Sequence, residues 1–96
     1  MRRYRLSVEA DRDIEGIIRF TAERWGWQKA ERYASELHGV FDTLADHPEL
    51  GRRIDHIRAG YRRLEHGSHS VYYVISELHV TITRLLHRRM LPKGRL

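Results

Sequence analysis

Four candidates for proton transfer lie in the second half of this sequence. They comprise one glutamate and three histidines: Glu65, His66, His69 and His87. Arginines that are suited to phosphate contact lie close to them along the chain: Arg62, Arg63, Arg84 and Arg88. A base, an acid and neighbouring cations are what metal-independent phosphodiester cleavage requires. The candidate set for such a reaction is Arg62, Glu65, His69 and His87.

Strand alternation decides which of these side chains can meet. If residues 61–66 form a strand, Arg62 and His66 lie on one face and Glu65 lies on the other. In the last strand, Arg84 and His87 project to opposite faces. A convergent site therefore requires strand pairing to bring together selected members of each face.

The seven histidines raise the question of a metal site, and His66 with His69 would supply two ligands. The sequence contains no HExxH pattern, no cysteine and no carboxylate at a recognised ligand spacing. No metal or other cofactor is therefore expected. The absence of cysteine also excludes disulfides and thiolate nucleophiles.

The charge balance favours acidic or phosphate-bearing partners. Eighteen lysines and arginines against 13 acidic residues give a formal charge of +5, and only Lys29 and Lys93 are lysines. The planar guanidinium contacts carboxylate and phosphate in a bidentate manner, so both acidic protein segments and nucleic acid fit this composition. Alternatively, the arginines belong to an ordinary solvated surface without a binding role. The same two interpretations hold for the pairs Arg52-Arg53 and Arg62-Arg63.

Two helices are predicted in the first half of the chain. Apolar residues at positions 10, 14, 17, 18 and 22 recur at the spacing of one helical face, and Ser7 is placed as the N-cap. Gly26, between Trp25 and Trp27, is suited to end this helix and reverse the chain. A second apolar stripe covers residues 30–44 and stops before Pro48. Together the two segments predict an antiparallel helical hairpin.

Strand patterns flank this hairpin. Residues 4–8 alternate, and residues 61–66, 71–75 and 80–86 carry β-branched and aromatic side chains with turn signals between them. The short turns predict an antiparallel meander, whereas the pairing of the first strand is not decided by the sequence. The expected fold is α+β, in the order β-α-α-β-β-β, with the helical hairpin packed on an antiparallel sheet. The length of 96 residues and the lack of a linker predict one domain over residues 1–96.

Two aromatic pairs have alternative interpretations. At least one of Trp25 and Trp27 is expected to seal the core between helices and sheet, whereas an exposed one would anchor a partner. Tyr72 and Tyr73 project to opposite faces of their strand. One of these tyrosines is therefore expected in the core, and the other in edge packing or a contact surface.

The basic start of the chain, Met1-Arg2-Arg3-Tyr4-Arg5, is not followed by the apolar stretch of a secretion signal. No other segment approaches the length of a membrane span. A cytoplasmic protein without a membrane partner is therefore expected.

Several short segments, in this order and spacing, resemble ParE-type toxins of the RelE/ParE superfamily over nearly the whole chain. They are Glu9 to Ile17, Trp25-Gly26, Ala30, Tyr33, Pro48 to Arg52, Ile57 to Arg62, His69 to Tyr73, and Arg84 to Arg89. The resemblance implies a bacterial or plasmid-encoded toxin that is held inactive by a ParD-like antitoxin. Such an antitoxin commonly has a ribbon-helix-helix half and an acidic tail, so that the toxin meets operator DNA only indirectly.

The resemblance implies two alternative activities. ParE-type members are associated with inhibition of DNA gyrase, whereas RelE-type members cut messenger RNA in the ribosome. The nuclease branch tends to place arginine where this chain has Ser70. This difference favours a gyrase-directed toxin that acts by protein binding, without covalent chemistry. The alternatives are the nuclease, with the four residues given above, and an inactive or unrelated binding module.

Two contact surfaces are predicted on this basis. An antitoxin has two physical routes onto the fold, as a strand added at a sheet edge or as a helix laid over exposed apolar residues. The predicted antitoxin contacts are Trp25, Trp27, Arg52, Arg53, Arg62 and Tyr72. In the last strand, Val80, Ile82 and Leu86 are expected to share the buried face. The predicted target-binding residues follow at its exposed end: His87, Arg88, Arg89 and Met90.

Overall fold

The computed structural model describes residues 3–96 and contains five strands, two helices and one 3-10 turn. Met1 and Arg2, the first two residues of the basic start, lie outside the described part. The elements are β1 (Arg3–Leu6), α1 (Val8–Trp25), α2 (Trp27–Asp46), the 3-10 turn (Pro48–Leu50), β2 (Arg52–Arg53), β3 (Tyr61–His66), β4 (His69–Ile75) and β5 (His79–His87).

The helical hairpin begins and turns where the sequence predicts. The Ser7 hydroxyl accepts a hydrogen bond from the Ala10 amide (3.0 Å), which caps α1 as a serine at this position should. Gly26 separates the helices with a φ of 93°, a conformation that glycine adopts without steric cost. Within the described residues, neither helix has a stretch apolar enough to span a membrane.

The sheet has the strand order β1-β5-β4-β3-β2. Its last four strands pair antiparallel, but β1 pairs parallel with β5, from Arg3 beside His79 to Leu6 beside Ile82. The helical hairpin on the sheet is confirmed, and the fully antiparallel sheet is corrected to a mixed one. A parallel pair needs a long connection, which the hairpin and the meander provide together. The short strand β2 was also missed, because two residues carry no periodicity.

A β-bulge in β5 changes which residues face the helices. Tyr72 pairs with Arg84 but Tyr73 pairs with Ile82, so Thr83 is the extra residue. Beyond the bulge the alternation is shifted by one position. The prediction that Leu86 shares a face with Val80 and Ile82 is therefore wrong, because Leu85 takes that place in the core under the helices.

The sheet buries side chains on both faces. On the helix face, the face covered by α1 and α2, the core includes Phe41, Tyr73 and Ile82. On the opposite side, here called the far face, Ile54, Tyr72 and Leu86 form a smaller core, against which Leu96 packs. Both tyrosines are fully buried. The expectation that one of them would lie in edge packing or a contact surface is therefore wrong.

Candidate interaction surfaces

A groove of about 740 Å³ runs between the helical hairpin and the end of β5. Its apolar lining includes Ile17, Phe20, Trp25, Leu85 and Met90. The charged and polar side chains of the lining include one carboxylate and several cationic or titratable groups: Asp13, Arg12, Lys29, His69, Arg84 and His87. An apolar floor with cations around it suits an amphipathic segment that carries acidic residues.

The groove exists because β1 stops before β5 does. Pairing of the two strands ends at Leu6 and Ile82, so β5 continues beyond its neighbour. Asp13 of α1 takes the place of a strand there. Its carboxylate accepts hydrogen bonds from the Leu85 amide (3.0 Å) and from Arg84 Nε (2.7 Å) and Nη2 (3.2 Å). These contacts raise the pKa of Arg84 and fix the helix against the open edge.

The aromatic residues at the tip of the hairpin are exposed. Trp25 and Trp27 are 60% and 66% exposed, so the expectation that at least one of them seals the core is wrong. The small residues Ala30 and Ala10 are fully buried in this layer instead. Trp25 lines the groove, with the Lys29 ammonium 4.4 Å from its ring centroid. Trp27 lines a second, shallower depression on the outer side of α1.

Three histidines form a cross-strand row at one end of the sheet. Register places His69 beside both His66 and His87. The hydroxyl of Tyr33, from α2, hydrogen-bonds to His69 Nδ1 (2.7 Å) and to the His66 carbonyl (3.2 Å). Burial lowers the pKa of His69, and the charges of His87 and His66 lower it further. His69 is therefore held neutral near pH 7, as a group packed against Tyr33.

The proposed nuclease residues do not converge. His69 and His87 are neighbours, with ring centroids 6.0 Å apart. Glu65 instead projects to the far face, where it pairs with Ser70 of the neighbouring strand. Arg62 lies at the other end of β3, where its guanidinium donates to the Gly51 carbonyl (2.7 Å). The predicted set of Arg62, Glu65, His69 and His87 therefore does not meet at one point, which weakens the nuclease interpretation built on these four residues.

The arginines predicted to contact the antitoxin lie near the β2 edge of the sheet, away from the groove. Arg52 and Arg53 are exposed on β2, and Arg53 donates to Asp55 Oδ2 (2.9 Å). Arg62 is half-buried, and its guanidinium donates to the Gly51 carbonyl, as described above. We withdraw Tyr72 from the antitoxin contacts, because its side chain is fully buried beneath the far face.

The segment predicted to bind the target is exposed. His87 ends β5, and the Met90 amide donates to the His87 carbonyl (2.8 Å) to form a turn. Arg88 is tied back to the sheet through the Gly67 carbonyl (3.2 Å) and the Glu65 carboxylate. The Arg89 amide donates to His87 Nδ1 (3.2 Å), whereas its guanidinium has no hydrogen bond or ion pair with the described residues. Two of the four residues, His87 and Met90, also line the groove.

Several residues of the groove were not singled out from the sequence. Phe20 is 61% exposed on α1, and Asp13 follows the acidic first turn of that helix without any pattern of its own. Phe20 lies outside the apolar stripe of α1, and an aromatic residue off the stripe was the available signal. No such signal existed for Asp13. Within residues 3–96, no group of three or more histidines and carboxylates is arranged to hold a metal ion.

Comparisons with known proteins agree with this architecture. Residues 4–92 match the family model described as ParE toxin of type II toxin-antitoxin system, parDE. Toxin ParE1 of Caulobacter vibrioides is 40% identical over 96 residues, covering 100% of this chain and 99% of that protein. Toxin ParE1 of Mycobacterium tuberculosis is 44% identical over 89 residues, covering 92% of this chain and 91% of that protein.

The fold also has a solved counterpart. A chain from the chromosomal ParDE TA system of P. aeruginosa superposes with a TM-score of 0.75, covering 91% of this chain and 95% of that one. The identity of the two sequences is 19%, so this likeness concerns the fold.

Proposed function

The chain belongs to the ParE toxin family of type II toxin-antitoxin systems, and from this membership we propose that it stops growth by binding DNA gyrase in the cytoplasm. The partner that neutralises it is a ParD-type antitoxin. The chain contacts operator DNA only through that antitoxin. The mode of action is protein binding, without covalent chemistry or a cofactor.

The observation that carries this proposal is the separation of Arg62 and Glu65 from His69 and His87. A nuclease built on this predicted set needs the four groups at one scissile phosphate, whereas a binding toxin needs only an exposed surface. Such a surface is available at His87, Arg88, Arg89 and Met90. We propose that these four residues contact the target.

The groove is the proposed site of the antitoxin. It offers exposed aromatic rings beside a strand end without a neighbouring strand, which are the features of the two common modes of peptide recognition. Trp25 would act as the anchor, and Lys29 would contact an acidic residue of the antitoxin. Arg52, Arg53 and Arg62 are proposed to contact a more distant part of the same partner.

The shared lining suggests how neutralisation works. His87 and Met90 belong both to the groove and to the proposed target surface. An antitoxin segment seated in the groove therefore covers part of that surface. Binding of the antitoxin and binding of the target would then exclude each other.

The test of the activity uses two reactions with purified protein. We expect inhibition of gyrase-catalysed DNA supercoiling and intact messenger RNA in a translation reaction. The Arg88→Ala/Arg89→Ala variant should lose most of the inhibition while its fold and its antitoxin binding stay largely intact. Codon-specific cuts in the messenger would establish the nuclease alternative instead.

The antitoxin site is tested with a matched pair of variants. Trp25→Ala should weaken antitoxin binding by about 30-fold, the effect of losing an interface anchor. Trp27→Ala removes an equally exposed ring outside the groove and should change the affinity far less. The two dissociation constants can be compared by calorimetry, and equal losses would contradict the placement of the antitoxin in the groove.

A further inference from the structure

Three arginines on the far face of the sheet surround one carboxylate. Glu65 Oε1 lies 3.4 Å from Arg63 Nη2 and 3.9 Å from Arg52 Nη2, and Glu65 Oε2 contacts Arg88. The arginines come from β2, β3 and the segment after β5. Glu65 is the single carboxylate paired with these arginines within the described chain, so two of their three charges are not compensated.

The central arginine is held rigidly. The side chain of Arg63 is only 13% exposed, and its Nε donates to the hydroxyl of the fully buried Ser70 (3.1 Å). Its guanidinium also lies over the Tyr72 ring (5.5 Å) and donates to the Arg88 carbonyl (3.4 Å). A guanidinium fixed in this way loses little conformational entropy when it binds a ligand.

The two outer arginines are accessible. Arg52 and Arg88 have side chains that are 67% and 50% exposed, and Glu65 itself is 35% exposed. Arg89, which follows directly, adds a further exposed cation. The cluster therefore combines a fixed guanidinium, two adjustable ones and a counter-ion within reach of solvent.

We propose that this cluster is a recognition site for a carboxylate from an acidic segment of a partner protein, and that Glu65 occupies it in the free toxin. A carboxylate already satisfies the geometry, because Glu65 meets three guanidinium groups there. When the partner binds, its carboxylate displaces Glu65. The site is distinct from the groove, and it rests on the proposed function only in taking a partner protein as the source of the ligand.

Nucleic acid fits the cluster less well. Single strands are bound by cations together with aromatic rings that stack on the bases. The exposed aromatic residues Phe20, Trp25 and Trp27 all belong to the helical hairpin on the other side of the sheet, and the two tyrosines of β4 are buried. The cluster is also compact, whereas a backbone of phosphates calls for a stripe of cations.

The test measures binding of a fluorescent octaglutamate peptide to the whole chain. Arg52→Gln and Arg88→Gln should each weaken binding by about 3- to 5-fold, as expected for a partly exposed ion pair. Glu65→Gln should strengthen it by a similar factor, because it removes the internal competitor. Arg32→Gln is the control for net charge: it changes an exposed arginine of α2 and should have less than about a 2-fold effect, as expected for a distant, screened charge.

Nuclear magnetic resonance of the unmodified chain supplies a second measurement, which does not depend on any variant. The side-chain Nε–H signals of Arg52, Arg63 and Arg88 should shift saturably with the peptide, and that of Arg32 should not. Uniform shifts, or an unchanged affinity in Glu65→Gln, would overturn the proposal. Tighter binding of octathymidylate with the same dependence on the variants would overturn it in favour of nucleic acid. Neither antitoxin nor gyrase is present, so failure here leaves the proposed function intact.

Discussion

The two faces of the sheet are covered in different ways. On the helix face, α1 and α2 bury a continuous core that holds Phe41 and Tyr73 without exposure. On the far face, a loop and Leu96 cover a small core around Ile54 and Tyr72, beside the arginine cluster. Apolar burial is the main source of folding free energy. The helix face therefore provides most of the stability, which leaves the far face free to carry charge.

The largest expected difference between the faces comes from truncating one core residue on each. Phe41→Ala should lower the free energy of unfolding by about 3–5 kcal/mol, because it removes a fully buried ring from the larger core. Ile54→Ala should cost about 2–3 kcal/mol, at the low end for such changes, because the thin cover can collapse around the space. Urea denaturation measures both. A greater loss from Ile54→Ala would reverse the comparison.

The adjacent tyrosines provide a second comparison. The Tyr73 hydroxyl donates to the Pro48 carbonyl (2.6 Å) and accepts from the Gly51 amide (2.8 Å), whereas the buried Tyr72 hydroxyl has no hydrogen-bond partner among the described residues. Tyr73→Phe should cost about 1–3 kcal/mol, since two buried backbone groups lose their partner. Tyr72→Phe should be neutral or slightly stabilising.

Urea denaturation of Tyr72→Phe and Tyr73→Phe measures the two changes in the free energy of unfolding. Equal losses would show that the Tyr72 hydroxyl has a partner of its own, such as a buried water molecule.

Asp13 holds α1 against the part of β5 that extends beyond β1. Asp13→Ala should cost about 1–2 kcal/mol, because it breaks a partly buried ion pair with Arg84 and leaves the Leu85 amide without its acceptor. It should also weaken antitoxin binding, since the groove loses its fixed wall. Glu15→Ala, an exposed change on the same helix, is the control. Thermal unfolding and calorimetry with the antitoxin provide the two measurements.

The smallest expected effect is a dependence of stability on pH that originates on the helix face. Burial lowers the pKa of His69 below its value in the unfolded chain. Between the two values the unfolded chain binds more protons, so the free energy of unfolding falls as the pH drops from about 6.5 through the folded pKa. His69→Gln should remove this part of the dependence, whereas the exposed His56→Gln should retain it. Denaturation at a series of pH values compares them.

Much of the fold followed from local patterns. Ser7, Gly26 and Pro48 mark the limits of the helices because capping, chain reversal and helix termination depend on a few neighbouring residues. The alternation in β3 and β4 assigned the faces of Glu65 and His66 correctly. The family resemblance, read from short segments in order, was confirmed over residues 4–92.

The candidate surfaces were less predictable. The exposed cationic turn after β5 was visible in the sequence, but the groove beside it was not. Trp25 and Trp27 are large apolar residues of the kind expected in a core, but both are exposed, whereas the small Ala30 is fully buried in the helix layer. The exposure of a side chain depends on what packs against it, and no local pattern contains that information.

The sequence by itself determined the helices, the meander, the positive charge and the family, because each depends on residue types and their spacing. Tertiary structure decided the parallel pairing of β1, the bulge at Thr83 and the meeting of Arg52, Arg63 and Arg88 around Glu65. These features join residues far apart in the chain. Their positions depend on strand register and on the relative lengths of β1 and β5, which the periodicity of a single segment does not specify.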